Sequence, residues 1–172
     1  MSFLELAKRR YSTREYLAKP VEPEKIKEIL EAGRVAPTAC NNQPQRILVV
    51  QTTEGMAKIT KSYKDFHAPA ALIVCADHKD SWNRSYDGKD SADIDASIVT
   101  TQMMLCATEL GLDSVWICAF NPSIIREEFH IPEHIEPINI LLLGYGKGDP
   151  KSPVRHDAQR KALDKIVVYE SF

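Results

Sequence analysis

The sequence predicts an α+β domain in which helices lie on both sides of a mixed β-sheet. The first observation is a set of short apolar runs of strand length, at residues 46–51, 70–76, 114–120 and 138–146. The second is that helical patterns separate these runs. The third is the length of 172 residues without a linker, so we expect one domain spanning residues 1–172.

Charge and hydropathy exclude several classes of protein. Lysine and arginine number 22 against 24 acidic residues, a net charge of -2, so no overall positive field attracts nucleic acid or anionic lipid. The N-terminus MSFLELAKRR is charged where a signal peptide is apolar, and the densest apolar run, Ile138 to Leu143, is far too short to span a membrane. We expect a soluble cytoplasmic protein without nucleic-acid or membrane partners.

The sequence contains no standard metal or hydrolase motif. The four cysteines form no C-x-x-C pair, and Pro132 interrupts the helical spacing of His130 and His134, so we predict no metal site. The segment GYGKGDP departs from the dinucleotide pattern G-x-G-x-x-G. The phosphate-binding P-loop, the G-x-S-x-G elbow and the H-E-x-x-H pattern are all missing.

Two helices are predicted before the first strand. Ser2 and Glu5 form the S-x-x-E start signal of the first. The inner face of this helix would consist of Phe3, Leu4 and Ala7. The second helix has Pro23 in its first turn, carries apolar residues at helical spacing and ends near Val35.

A cluster of arginines follows the first helix. Arg9, Arg10 and Arg14 lie within the six residues RRYSTR, and a planar guanidinium offers several fixed donors to a phosphate or carboxylate. This spacing predicts a bound anion. The alternative is the solvated basic end of a helix, where cations suit the negative pole of the dipole.

An uncharged polar turn, APTACNNQPQ, joins the second helix to the first strand. Asn41, Asn42 and Gln43 each carry a donor and an acceptor, which suits the edge of a flat heterocycle. The alternative is ordinary turn chemistry, because asparagine tolerates left-handed backbone and bonds its own main chain.

The middle of the chain predicts a short helix, a buried strand and a long loop. Residues 54–63 could form the helix, and residues 70–76 read as a strand that is apolar on both faces. Trp82 and Tyr86 lie in the loop at residues 77–90. This loop is either a lid over a binding site or a surface excursion packed by its own tryptophan.

A helix without a charged face is predicted between Ser91 and Leu110, with Gly111 as its stop. No charged residue occurs between Ala96 and Thr108, so the helix should be buried on all sides, in the centre of the domain and at a homodimer interface.

The last third of the chain predicts one helix, one loop and an alternating tail. Asn121 and Pro122 supply the cap and first turn of the helix. Residues 148–160 are polar and contain proline, which indicates a surface loop. The final segment DKIVVYESF alternates and could add to a sheet edge, including that of another subunit.

Five segments in order resemble the nitroreductase family of flavin mononucleotide (FMN) enzymes. They are RRYSTREY, APTACNNQPQRILVV, GLDSVWICAF, LLLGYG and RKALDKIVVYE, and they extend over nearly the whole chain. The resemblance implies a homodimeric three-layer α/β/α sandwich with a central mixed, mainly antiparallel sheet. It also implies two FMN sites at the interface and a C-terminal segment, about 160–172, that extends onto the partner subunit.

The resemblance also assigns flavin contacts by position. Arg10 would lie toward the phosphate, completed by Arg160, and Arg14 toward the ring and ribityl chain. Loop 37–41 would reach the flavin from the other subunit, and strand end 116–119 would approach the reactive ring edge. The full set is Arg10, Ser12, Arg14, Pro37, Thr38, Ala39, Asn41, Trp116, Ile117, Cys118, Ala119 and Arg160.

Three positions depart from the family pattern. Gln45 stands where the family commonly has tryptophan, and Ala162 replaces a usual proline. Cys118 stands where the family has glycine, so a side chain could alter the close backbone approach to the flavin.

The expected activity is hydride transfer from NAD(P)H through FMN to a nitroaromatic or quinone. The phosphate of FMN carries about -1.5 to -2 charges, which two or three arginines balance. Because the flavin performs the chemistry, no catalytic side chain is required. The alternatives are a flavin-binding relative with another redox task, such as reductive dehalogenation or flavin breakdown, and a non-enzymatic binder of a phosphorylated ligand.

Overall fold

The computed structural model describes residues 1–172 and contains six α-helices and one four-stranded sheet. The helices are α1 Phe3–Arg9, α2 Pro23–Arg34, α3 Thr53–Thr60, α4 Ala92–Glu109, α5 Pro122–Phe129 and α6 Arg155–Gln159. The strands are β1 Gln45–Val50, β2 Ala70–Asp77, β3 Asp113–Ile117 and β4 Ile135–Gly144. Short 3-10 turns lie at Ala39–Asn41 and Leu163–Lys165. The predicted α+β class is confirmed.

All strand pairs of the sheet are antiparallel, in the order β1-β2-β4-β3. The mainly antiparallel character of the predicted sheet is therefore confirmed, and its mixed component is wrong. The parallel contact between Ser12 and Ser114 is an isolated bridge outside the named strands. Strands that are apolar on both faces are typical of parallel sheets, but they are required wherever helices cover both faces.

Alternate side chains of the central strands enter two apolar clusters. One cluster joins the sheet to α2 and α4 and includes Ile29, Leu72, Val74, Val99, Met103, Leu141 and Leu143. The other joins it to α3 and α5 and includes Ile59, Ile73, Val115, Ile125, Ile140 and Leu142. Each large side chain buried in this way contributes about 1.5–3 kcal/mol to the free energy of unfolding.

The predicted helix ends follow their local signals. At the start of α1, the amide of Ser2 donates to Glu5 Oε2 at 2.6 Å and the amide of Glu5 donates to Ser2 Oγ at 3.2 Å. The side chain of Asn121 caps α5 by accepting from two backbone amides. Gly111, after α4, has a φ of +76°, which glycine adopts without strain. The sequence therefore specifies these ends locally.

Two predicted buried faces are exposed in the single chain. Phe3 and Leu4 of α1 are 71% and 63% exposed, so the predicted inner face of that helix is wrong here. Helix α4 is not buried on all sides either, because Ile94 is 49% exposed and Ser97 and Ile98 are only half-buried. The sequence identified the apolar surface of these helices but not what covers it.

Two predictions in the C-terminal half are also corrected, and the tail is unpaired in the single chain. Strand β3 ends at Ile117, so residues 118–120 of the predicted strand lie beyond it. The predicted loop 148–160 contains α6. The tail DKIVVYESF forms no strand with its own chain, and most of its apolar side chains, including Val168 and Tyr169, are exposed.

Candidate anion and cofactor site

The segment after α1 lies along edge strand β3. The amide of Thr13 donates to the carbonyl of Ser114 at 3.0 Å, and the amide of Leu17 donates to the carbonyl of Tyr145 at 2.8 Å. Gly144 permits this approach, because a Cβ there would lie 2.9 Å from Cδ1 of Tyr16. The backbone of RRYSTREY is thus fixed along the sheet.

A cavity of about 200 Å³ lies where this segment meets α6. It is lined by Arg10, Tyr11, Ser12, Arg155, His156, Gln159 and Arg160. The structure therefore brings the sequence-predicted Arg10, Ser12 and Arg160 together from distant parts of the chain. Three guanidinium groups and no carboxylate line this space, which we call the cationic cavity.

Arg155 is a member of the cationic cavity that the sequence did not reveal. Its Nη1 donates to the carbonyl of Lys8 at 3.1 Å and to that of Ser152 at 2.9 Å. Its Nη2 donates to the carbonyl of Arg10 at 2.6 Å. The sequence carries no signal for this role, because backbone carbonyl acceptors have no sequence signature.

The charges in the cationic cavity are not compensated by the protein. Burial, followed by the nearby charges of Arg155 and Arg160, lowers the pKa of Arg10. The charged form of Arg10 is therefore less favourable than in water. A bound dianion would reverse this effect, and the fork-shaped donors of arginine suit phosphate oxygens. The residues present fit a phosphate group.

The other two arginines of RRYSTR occupy different places. Arg9 lines a neighbouring cavity of about 150 Å³, which Arg10, Asp113 and Ser114 also line. Arg14 is exposed, and its Nη1 lies 3.4 Å from the carbonyl of Ser12. Neither side chain lines the cationic cavity, so Arg10 is the member of this cluster with the clearest position for an anion.

The polar turn after α2 is anchored to α4 by Asp95. The amide of Ala39 donates to Asp95 Oδ1 at 2.8 Å, and the hydroxyl of Ser91 donates to Asp95 Oδ2 at 2.8 Å. Asp95 is 1% exposed, so this carboxylate is a buried anchor for the turn. It also lies in the first turn of α4, where the helix dipole favours a negative charge. The sequence-predicted Pro37, Thr38, Ala39 and Asn41 lie on this turn and do not line the cationic cavity.

The end of β3 presents a tryptophan and a cysteine together. Trp116 Nε1 donates to Cys118 Sγ at 3.1 Å, and Cys118 and Ala119 are exposed just beyond the strand. Ile117 points away from them into the cluster with α3 and α5. The thiol that replaces the expected glycine is therefore engaged by the indole, on an accessible part of the chain.

The two remaining expectations concern membranes and metals. None of the helices has both the length and the apolar composition required to cross a bilayer. No group of three or more histidine, cysteine, aspartate or glutamate side chains has the arrangement of a metal site.

Comparison with known proteins gives one consistent result. The family model described as "Nitroreductase family" matches residues 7–66 and 60–146. A crystal structure of a nitroreductase family protein from Clostridium difficile 630 has a TM-score of 0.98 and 53% identity, over 100% of both chains. The structure of an FMN-dependent nitroreductase from Clostridium difficile R20291 has a TM-score of 0.80 and 28% identity, over 97% of this chain and 98% of its own. A protein of Methanothermobacter thermautotrophicus named "Putative NADH dehydrogenase/NAD(P)H nitroreductase" is 33% identical, over 96% of this chain and 88% of its own.

Proposed function

The chain belongs to the nitroreductase family, and from that premise we propose that it is an FMN-dependent oxidoreductase. It would pass a hydride from NAD(P)H to an electron-poor acceptor such as a nitroaromatic or a quinone. The observation that carries the proposal is the cationic cavity, whose three arginines match the charge of a flavin phosphate. The names of two similar proteins, which specify FMN and NAD(P)H, support the cofactor and the electron donor.

The roles of the chain's residues follow from their positions. Arg10 and Arg160 would bind the phosphate, with Ser12 as a further donor, and Arg155 would add positive charge to the same cavity. Arg14 is free of protein anions and would place positive charge near the flavin ring. Positive charge there favours the reduced flavin. Bound FMN would supply the redox chemistry, so the chain needs only to bind and orient the reactants.

We also propose that the active form is a homodimer. A groove of about 560 Å³ on α4, lined by Asp93, Ile94, Ser97, Ile98, Thr101 and Gln102, leaves one face of that helix without a partner. Phe3 and Leu4 of α1 are exposed as well. Burying such apolar surface against a second copy would be favourable. In that arrangement Pro37, Thr38, Ala39 and Asn41 would contact the partner's flavin, and residues 160–172 would cover the partner.

The two apolar clusters support the layered part of this proposal. Helices α2 and α4 contribute to one cluster, and α3 and α5 contribute to the other. Residues that alternate along the sheet enter opposite clusters, as expected for a three-layer α/β/α sandwich.

The proposed function is tested by turnover of the purified protein loaded with FMN. We expect steady consumption of NADH or NADPH when a nitrobenzene or a benzoquinone is added, and little consumption in anaerobic buffer without an acceptor. Flavin reduction without turnover on either acceptor would contradict the acceptor class and favour another redox task. Binding of FMN with no reduction by either nucleotide would instead favour a non-enzymatic binder.

A further inference from the structure

We propose that Arg155 is a positioning residue that fastens α6 to the C-terminal end of α1 and thereby assembles the cationic cavity. The inference rests on the proposed function for the identity of the anion, a flavin phosphate. Through this role, Arg155 would make the protein bind phosphorylated flavin more tightly than unphosphorylated flavin.

The hydrogen bonds of Arg155 connect two segments that are far apart in the sequence. Its Nη1 and Nη2 donate to the carbonyls of Lys8 and Arg10, at 3.1 and 2.6 Å. Carbonyl groups at a helix C-terminus lack partners within the helix, so they are strong acceptors for a cation. The same guanidinium also donates to Ser152, before α6, at 2.9 Å.

Helix α6 depends on these contacts for its position. It has five residues, of which none is buried, and a helix of that length is not stable on its own. Its second long-range contact is made by the neighbouring residue, since His156 Nε2 lies 3.1 Å from the carbonyl of Lys8. Arg155 and His156 therefore hold α6 against the end of α1.

The position of α6 in turn places Arg160. The amide of Arg160 donates to the carbonyl of His156 at 3.1 Å, directly after the helix. Without the bonds from Arg155, Arg160 would lose its fixed position across the cavity from Arg10. The carbonyl of Arg10 is itself an acceptor of Arg155, so this side chain contacts the backbone of one phosphate-facing arginine and helps to place the other.

The shape of the guanidinium group is as important here as its charge. Two separate nitrogens reach Lys8 and Arg10, while Nε makes no hydrogen bond within the protein. A lysine keeps the charge but has a single nitrogen and no planar fork. Substitution by lysine therefore separates a positioning role from a purely electrostatic one.

The test is the affinity for FMN and for riboflavin, which lacks the phosphate, measured by quenching of flavin fluorescence. We expect Arg155→Gln and Arg155→Lys each to weaken FMN binding by about tenfold or more. This change in affinity corresponds to the loss of one charge-assisted hydrogen bond. Riboflavin binding should change by less than about twofold in both. The matched control is Lys151→Gln, which removes the same charge from an exposed side chain of the same segment.

Each outcome decides the inference. Wild-type affinity for FMN in Arg155→Lys would overturn it, because charge alone would then suffice. Equal losses of affinity for FMN and riboflavin would overturn it as well, since they would indicate general structural damage.

If the wild-type protein binds no FMN, the proposed function fails, and the role of Arg155 is then decided by the melting temperature measured with and without inorganic phosphate. A rise in melting temperature that is lost in Arg155→Lys would then support the positioning role, and no loss would contradict it.

Discussion

Arg10 illustrates how a single residue can favour ligand binding at the expense of the unliganded fold. Burial and the charges of Arg155 and Arg160 lower the pKa of Arg10, so its charge is disfavoured without an anion. We expect Arg10→Gln to weaken FMN binding by about tenfold or more without lowering the melting temperature of the unliganded protein. Arg9→Gln is the matched control, because Arg9 lies outside the cationic cavity. Equal losses of FMN affinity in both variants would contradict the assignment.

His78 gives a second prediction at the residue scale. Its Nδ1 lies 2.8 Å from Asp90 Oδ2 and its Nε2 lies 2.7 Å from Glu136 Oε2, joining loop 77–90 to β4. The hydrogen bond to Asp90, then that to Glu136, raises the pKa of His78. The resulting stabilisation is fully present below the unfolded pKa of about 6.5 and is lost as pH rises through the higher folded value.

Urea unfolding of the wild type and His78→Gln tests this dependence. At pH 5.5 the free energy of unfolding of the wild type should exceed that of His78→Gln by less than about 1 kcal/mol, because the site is solvent-accessible. The difference should shrink at alkaline pH. A difference that grows with pH would show that the neutral imidazole makes the stabilising contact.

The sequence indicated some of the residues that the structure brings together and missed others for definable reasons. The family resemblance placed Arg10, Ser12 and Arg160 at one anion site, and these three residues do line the same cavity. Arg155 and Asp95 were not predicted, because their partners are backbone groups of distant segments. Such partners become apparent only when the chain is folded.

At the scale of elements, the anchoring of the polar turn to α4 carries the clearest prediction. Asp95 accepts from the amide of Ala39 and from the hydroxyl of Ser91. We expect Asp95→Ala to lower the free energy of unfolding by about 1–3 kcal/mol, because it leaves buried donors without a partner. Asp95→Asn should retain most of the stability, since the amide oxygen still accepts from Ala39. Chemical denaturation measures both; equal stability of Asp95→Ala and wild type would contradict the anchor.

The elements also show which parts of the fold were predictable. Pro23, Gly111 and Asn121 act through their own backbone or first-turn geometry, so the ends of α2, α4 and α5 followed from the sequence. Helix α6 was missed because it is short and depends on tertiary contacts. The sheet is antiparallel throughout, where a mixed, mainly antiparallel sheet was predicted, because the apolar pattern reports burial of both faces and not strand direction.

At the scale of the whole molecule, the exposed apolar surfaces make a prediction about assembly. We expect a mass of about twice 19.4 kDa in sedimentation velocity. Ile94→Lys places a charge on the exposed face of α4 and should shift the protein toward monomer. Leu17→Lys is a matched control, because Leu17 is 46% exposed and Ile94 is 49% exposed. A wild-type monomer with full FMN affinity would contradict the shared site.

The central claim, that this chain holds FMN through its cationic cavity, is tested most directly by the absorption spectrum of the purified protein, followed by extraction of the pigment. We predict the visible bands of an oxidised flavin, and FMN as the extracted compound at about one molecule per chain. A colourless protein that takes up no FMN when mixed with it would contradict the account.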